Sequence, residues 1–137
     1  MARRLRITAP RGRTAQRLAI IADDDEITRI LLQRSLTLSG WIAIPVDDGG
    51  EIWPILERED VTALVLDLNM PGVNGWEVLR KLRSDPVLRE QRGHLRVVIL
   101  SGQSDPGSRE FALQLGADDF LAKPLDLDAV HRVLGRA

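Results

Sequence analysis

Four short apolar runs in this chain each end abruptly in a polar or charged station: LAIIA in Asp23-Asp24-Asp25, ALVL in Asp67, VVIL in Ser101 and DFLA in Lys123-Pro124. Runs of this length, with little alternation, read as strands buried on both faces, which is the habit of a parallel sheet. In an open α/β sheet, ligands bind beyond the carboxyl ends of the strands. Carboxylates, a hydroxyl and an ammonium should therefore meet at one sheet edge. That set suits a divalent metal and a phosphoryl group.

The segments between the runs carry helical spacing. Strands are expected at Leu18–Ala22, 41–46, Ala63–Asp67, 96–100 and Asp119–Ala122, and helices at 26–39, 50–59, 76–84, 107–115 and 126–134. The first helix has Ile27, Ile30 and Leu31 at helical spacing and Gly40 as its stop. Pro45 marks the second strand as an edge strand. Pro54 predicts an irregular first turn, or a late start, for the second helix. Asp85-Pro86 ends the third helix, and a longer loop through Gly93 leads to the fourth strand. Strands alternating with helices in this way give a doubly wound, five-stranded α/β sheet.

With 137 residues the chain fits one domain. The absence of cysteine excludes a disulfide framework and a thiolate metal site. No apolar run approaches the ~20 residues of a membrane helix, and no apolar signal core opens the chain. A cytoplasmic protein without membrane association is the expectation. The formal charge of -1 hides an asymmetry: residues 1–17 hold six arginines and no acid, which leaves 13 basic residues against 20 acids in the rest, about -7. Residues 1–16 are expected to form a flexible arginine-rich arm, and 17–137 the folded domain with no output domain after it. The arm is either a solvated tail or an electrostatic tether. It leaves nucleic acid open as a partner, although no aromatic residue lies between its arginines to stack on bases.

Asp23, Asp24 and Asp67 fall on strands that can be neighbours. Like charges ~4 Å apart cost up to about 4 kcal/mol at an effective dielectric near 20, unless a cation sits among them. An all-oxygen set without His or Cys suits Mg²⁺. Asp67 can act as a nucleophile that forms an acyl phosphate, and Asn69 can offer its backbone carbonyl to the same metal. Ser101 and Lys123 can stabilise phosphoryl oxygens. Plainer readings stand beside these: Asp25 caps the first helix, Asp67 and Ser101 are turn residues, and Lys123 is solvated. Trp41, Trp53 and Trp76 read as packing residues, with Trp53 a possible contact patch. Neither His94 nor His131 has a partner at metal spacing, so both read as structural or solvated.

The motifs IIADDDE, LVLDLNMPGVNGWEVLRKLR, VVILSG and GADDFLAKPL make residues 18–134 resemble the receiver domain of two-component response regulators, especially the single-domain chemotaxis regulators. The resemblance implies a flavodoxin-like (β/α)5 fold with strand order 2-1-3-4-5, an order carried over with it. It makes Asp67 the phosphoacceptor. It assigns Mg²⁺ to Asp24 and Asp67 directly, to the Asn69 carbonyl, and to Asp23 through a bound water. Ser101 takes the family's hydroxyl switch position. Phe120 takes its aromatic switch position, where tyrosine is frequent; without a hydroxyl its readout would rest on packing. Lys123 would bind the phosphoryl oxygens, and Lys123–Pro124 would be a cis peptide bond. The implied partners are a histidine kinase or histidine phosphotransfer protein and a downstream protein target, met on an altered surface formed by residues 107–134. The implied assembly is a monomer or weak homodimer.

Three functions follow for testing. The first is a phosphorylation-controlled signalling receiver that catalyses only its own phosphorylation and dephosphorylation. The second is an aspartate-nucleophile, Mg²⁺-dependent phosphatase, although Asn69 stands where such enzymes carry a second aspartate. The third is an adaptor with a receiver fold that works without phosphorylation.

Overall fold

Burial organises this chain into a sheet before any side-chain chemistry enters. In the computed structural model, which describes residues 17–70, 72–102 and 106–135, five parallel strands lie in the order β2-β1-β3-β4-β5. They are β1 (Leu18–Ala22), β2 (Ile42–Val46), β3 (Ala63–Asp67), β4 (Arg96–Ser101) and β5 (Asp119–Ala122). The fold is therefore the doubly wound, flavodoxin-like one. β3 lies at the centre with all five residues buried, and β2 is an edge, where Pro45 leaves no ladder donor unused. The arginine-rich segment 1–16 lies outside the described residues.

Alternation along each strand sends side chains to two separate cores. One core packs Ile20, Leu64, Leu66, Ile99 and Phe120 against α2 (Ile52–Arg58), α3 (Gly75–Ser84) and α5 (Pro106–Leu115). The other packs Ala19, Ile21, Val65, Val98 and Leu100 against α1 (Glu26–Leu38) and α6 (Leu127–Leu134). Each fully buried Leu or Ile in these layers is worth roughly 1.5–3 kcal/mol of transfer free energy.

Two elements differ from the sequence reading. The loop expected after Ser84 holds a helix, α4 (Pro86–Arg92). Proline holds Asp85 extended, so this residue ends α3, and its carboxylate then accepts N–H bonds from Val87 and Leu88, with Pro86 at the first helical position. In α1 the buried stripe is Thr28, Leu32 and Leu36, whereas Ile27, Ile30 and Leu31 are 66%, 42% and 45% exposed. The late start of the second helix is present: a 3-10 turn at Gly49–Glu51 precedes α2, and Pro54 sits in its first turn.

Of the residues read as packing, Trp41 is buried beneath the Arg17 guanidinium at 4.5 Å. Trp53 is half-buried beneath the Lys81 ammonium at 4.7 Å. Trp76 packs against Phe111 with the rings tilted by 40° and their centroids 5.3 Å apart. His131 ties α6 to α1 through a 2.6 Å hydrogen bond between its Nε2 and Ser35 Oγ, and His94 is exposed in the turn before β4.

Candidate functional site

Sheet register brings the separated stations to one edge. Ala22 pairs with Leu66, so Asp23, one residue on, stands level with Asp67. Asp67 pairs with Leu100, and Ser101 with Ala122. The Lys123 N–H then donates to the Ser101 carbonyl at 2.8 Å, and Lys123–Pro124 is cis.

Strand parity divides this edge into two halves. Asp23 and Asp67 continue the parity of Ile21 and Val65, and Lys123 that of Leu121, on the α1/α6 side. Ser101 continues the parity of Ile99, on the α3/α5 side, and Phe120 is buried there at 6% exposure. Ser101 is itself fully buried. The charged group and the hydroxyl–aromatic pair thus approach the edge from opposite faces.

Asp23, Asp24 and Asp67 each offer a carboxylate oxygen, and these oxygens lie within 4.8 Å of one another. Asp23 and Asp67 are buried, whereas Asp24 is exposed. Like charges about 5 Å apart repel by roughly 3 kcal/mol at an effective dielectric near 20. Lys123 Nζ answers part of that, 3.0 Å from Asp23 Oδ2 and 3.6 Å from Asp67 Oδ2. Asp23 Oδ1 accepts the Asp25 N–H at 2.8 Å and a longer 3.4 Å bond from Lys123. Asp23 Oδ2 is buried and lies near the ammonium without accepting a hydrogen bond from it, so that contact is an ion pair only. One ammonium among three carboxylates leaves negative charge in excess. Together with the undonated Asp23 oxygen and the hard oxygen donor set, this fits a bound Mg²⁺.

Burial pushes the Asp67 carboxyl up to about 6; the Asn69 N–H at 3.0 Å and Lys123 pull it down, while Asp23 and Asp24 push it further up. Lys123 is pulled down by its own burial, but its hydrogen bond and charge pairing with Asp23 and Asp67 outweigh this, and its pKa is raised. Asp25 has the plainer role. It caps α1, accepting from Thr28 N at 3.2 Å and Thr28 Oγ1 at 2.5 Å, and the hydroxyl bond lowers its pKa.

The structure brings Lys123 to ion-pair distance of Asp23 and Asp67, places an Asp24 oxygen within 4.8 Å of those of the other two acids, seats Asn69 through its N–H on the Asp67 carboxylate, and holds Ser101 and Phe120 in the adjoining core. Sequence reasoning missed Arg29, whose Nη1 donates to the Asp23 carbonyl at 2.8 Å and pins the start of the acidic run. Its place, one helical turn into α1, was the available signal. A groove of about 790 Å³ between α2, α3 and α4, lined by Trp53, Leu56, Lys81 and Val87 among others, shares no residue with the acidic cluster.

A doubly wound sheet carrying three acids and a lysine at its carboxyl edge defines the class of protein, and comparison with known proteins supplies the family. The family model of the response regulator receiver domain matches residues 19–134, and the chain belongs to that family. It is 37% identical over 116 residues to the transcriptional activator protein IrlR of Burkholderia pseudomallei, covering 83% of this chain and 47% of that protein. It is 37% identical over 118 residues to protein RcaC of Microchaete diplosiphon, covering 85% of this chain and 18% of that one. The chain thus spans less than half the length of these relatives. Among solved structures, a receiver protein from Pseudomonas putida superposes with a TM-score of 0.79 at 26% identity, covering 90% of this chain and 98% of that one. The chemotaxis response regulator CheY4 of Vibrio cholerae gives 0.78 at 21%, covering 88% and 98%, a likeness of fold. Receiver domains work between histidine kinases and downstream effectors and typically bind Mg²⁺ through an acidic cluster; here Asp23, Asp24 and Asp67 are so grouped. No helix among the described residues is long and apolar enough to cross a membrane.

Proposed function

We propose that this chain is a signalling receiver that accepts a phosphoryl group on Asp67 from the phosphohistidine of a kinase or phosphotransfer protein. The observation that carries the reading is the Asp67 carboxylate itself: 3% exposed, grouped with Asp23 and Asp24, and faced by Lys123 at 3.6 Å. A buried carboxylate with that company is costly for stability alone. It is well suited to a displacement in which negative charge develops.

Asp24, Asp67 and the Asn69 carbonyl would hold Mg²⁺, with Asp23 reaching it through water; the bound ion supplies charge neutralisation at the phosphoryl oxygens. Asp67 attacks the phosphorus in line. The P–N bond of the donor breaks, its electron pair stays on the imidazole nitrogen, and an acyl phosphate forms on the carboxylate. Lys123 pairs with the phosphoryl oxygens, exchanging its bond to Asp67 for one to the new group. Ser101 then turns toward the phosphoryl group, and Phe120 repacks beneath it, changing the surface of α5, β5 and α6 met by a target protein. Hydrolysis of the acyl phosphate restores the first state.

The test is transfer from a phosphorylated histidine phosphotransfer protein or kinase. Label should leave the donor histidine and appear on this chain in the presence of Mg²⁺. Label that stays on every donor histidine tried, or that appears equally on Asp67→Asn, would remove the proposal.

A further inference from the structure

The β2–α2 turn touches the loop that leaves Asp67, and no side chain separates the two backbones. Gly49 is buried in that turn, and a methyl group on it would overlap the Val73 carbonyl oxygen and stand 3.0 Å from Val78 Cγ2. Asp48 uses Oδ1 to cap the 3-10 turn, accepting the Gly50 N–H at 2.7 Å. Its Oδ2 lies against Gly72, where an added Cβ would come within 2.5 Å and where φ is +72°. Farther along the same loop, a methyl group on Gly75 would overlap the Asp67 carbonyl oxygen and sit 2.7 Å from Leu68 Cα. The loop begins at Asn69, whose N–H holds Asp67 Oδ1 at 3.0 Å. Backbone therefore rests on backbone at Gly49–Val73 and at Gly75–Asp67, and the Asp48 carboxylate closes on Gly72 between them. Close-packed contacts of this kind transmit a displacement rather than absorb it.

We infer that the Asp48–Gly49 turn is a positioning brace: it fixes residues 72–75 ahead of α3, and through the Gly75 contact with Asp67 and Leu68 it orients the Asp67 carboxylate and the Asn69 carbonyl offered to the metal. This rests on the phosphoacceptor reading above. Gly49 is outside the left-handed region, so a methyl group there acts through its overlap with the Val73 carbonyl and not through a disfavoured φ. Gly50 supplies the control in the same turn. A methyl group on it meets nothing nearer than Asp48 Oδ1 at 3.3 Å and Val73 Cγ2 at 3.9 Å.

The test uses the full chain as wild type, Gly49→Ala and Gly50→Ala. Mg²⁺ is titrated onto unphosphorylated protein by calorimetry, and phosphorylation by a small acyl phosphate is followed against Mg²⁺ concentration. Gly49→Ala should raise the half-saturating Mg²⁺ concentration ~10-fold in both titrations, the loss typical when a ligand's support is disturbed. Its rate at saturating Mg²⁺ should return to near the wild-type value, and Gly50→Ala should match wild type throughout. A Gly49→Ala protein that melts earlier yet binds Mg²⁺ as wild type does would reduce the turn to ordinary packing and overturn the inference. If Gly49→Ala fails to fold, Asp48→Ala and Asp48→Asn decide. A weakened Mg²⁺ affinity in the alanine variant alone supports the brace. No change in either, or an equal change in both, overturns it, the latter because the effect is then one of charge. Wild type that takes no phosphoryl group on Asp67 sinks the functional reading instead, whereas phosphorylated wild type with an unshifted Gly49→Ala sinks only the brace.

Discussion

Asp67 is buried where its charge is poorly tolerated, and its carboxyl holds a proton up to about pH 6, against 3.8 for an ordinary aspartate. The native state therefore binds this proton more tightly than the unfolded chain. The stabilisation it brings is fully present below 3.8 and is lost as pH rises through about 6. Chelator-treated protein should thus be less resistant to denaturant at about pH 7.5 than at about pH 5, by on the order of 1–3 kcal/mol from this group. Asp67→Asn should remove that slope and be the more stable protein at the higher pH; an unaltered slope in the variant would contradict the assignment. On the phosphoacceptor reading proposed above, Lys123, 3.6 Å from Asp67, is the ammonium assigned to the phosphoryl oxygens. Lys123→Ala should slow phosphorylation by a small acyl phosphate by about 10²-fold, the scale for losing one fixed donor at a developing charge. Mg²⁺ affinity should not fall in the same variant, since its ligands remain. Matched rates for Lys123→Ala and wild type would place the lysine outside the chemistry.

Among the elements, α1 and α4 show where the sequence was readable and where it was not. Apolar spacing announced α1, but spacing gives a period and not a phase. Ile27, Ile30 and Leu31 carry the pattern, while Thr28, Leu32 and Leu36 meet the sheet. Leu32→Ala should cost about 2–5 kcal/mol in denaturant unfolding, as core truncations do, and its neighbour Leu31→Ala less than about 1 kcal/mol. Comparable losses would mean that the helix is rotated from the orientation described. α4 was hidden because Asp85-Pro86 is both a stop and a start, and because no residue of α4 is buried to give it an apolar stripe. The Asp85 cap holds its first turn. Asp85→Ala should cost about 1 kcal/mol and speed amide exchange over residues 86–92 before any other helix. Uniform loss of protection across the chain would show that α4 is held by tertiary contacts instead.

The molecule as a whole explains why much of the site was legible from sequence. A parallel sheet carries the end of each strand to a common edge, so an aspartate after β1, one ending β3 and a lysine after β5 become neighbours whatever their separation along the chain. Apolar runs bounded by such residues are visible without coordinates. Their division between two faces, with Asp23, Asp67 and Lys123 on one and Ser101 and Phe120 on the other, depends on where each strand begins, and period-two alternation in a fully buried strand leaves no polar mark of it. The backbone contacts of Gly49 and Gly75 were equally invisible, because a glycine needed for close approach looks like any turn glycine until its neighbour is known. If this edge makes Asp67 a phosphoacceptor, intact-mass measurement after incubation with Mg²⁺ and a small acyl phosphate will register it. One added phosphoryl group, absent when the metal is chelated and absent in Asp67→Asn, is the predicted result; an unchanged mass in the wild type, or an adduct that survives in Asp67→Asn, would contradict it.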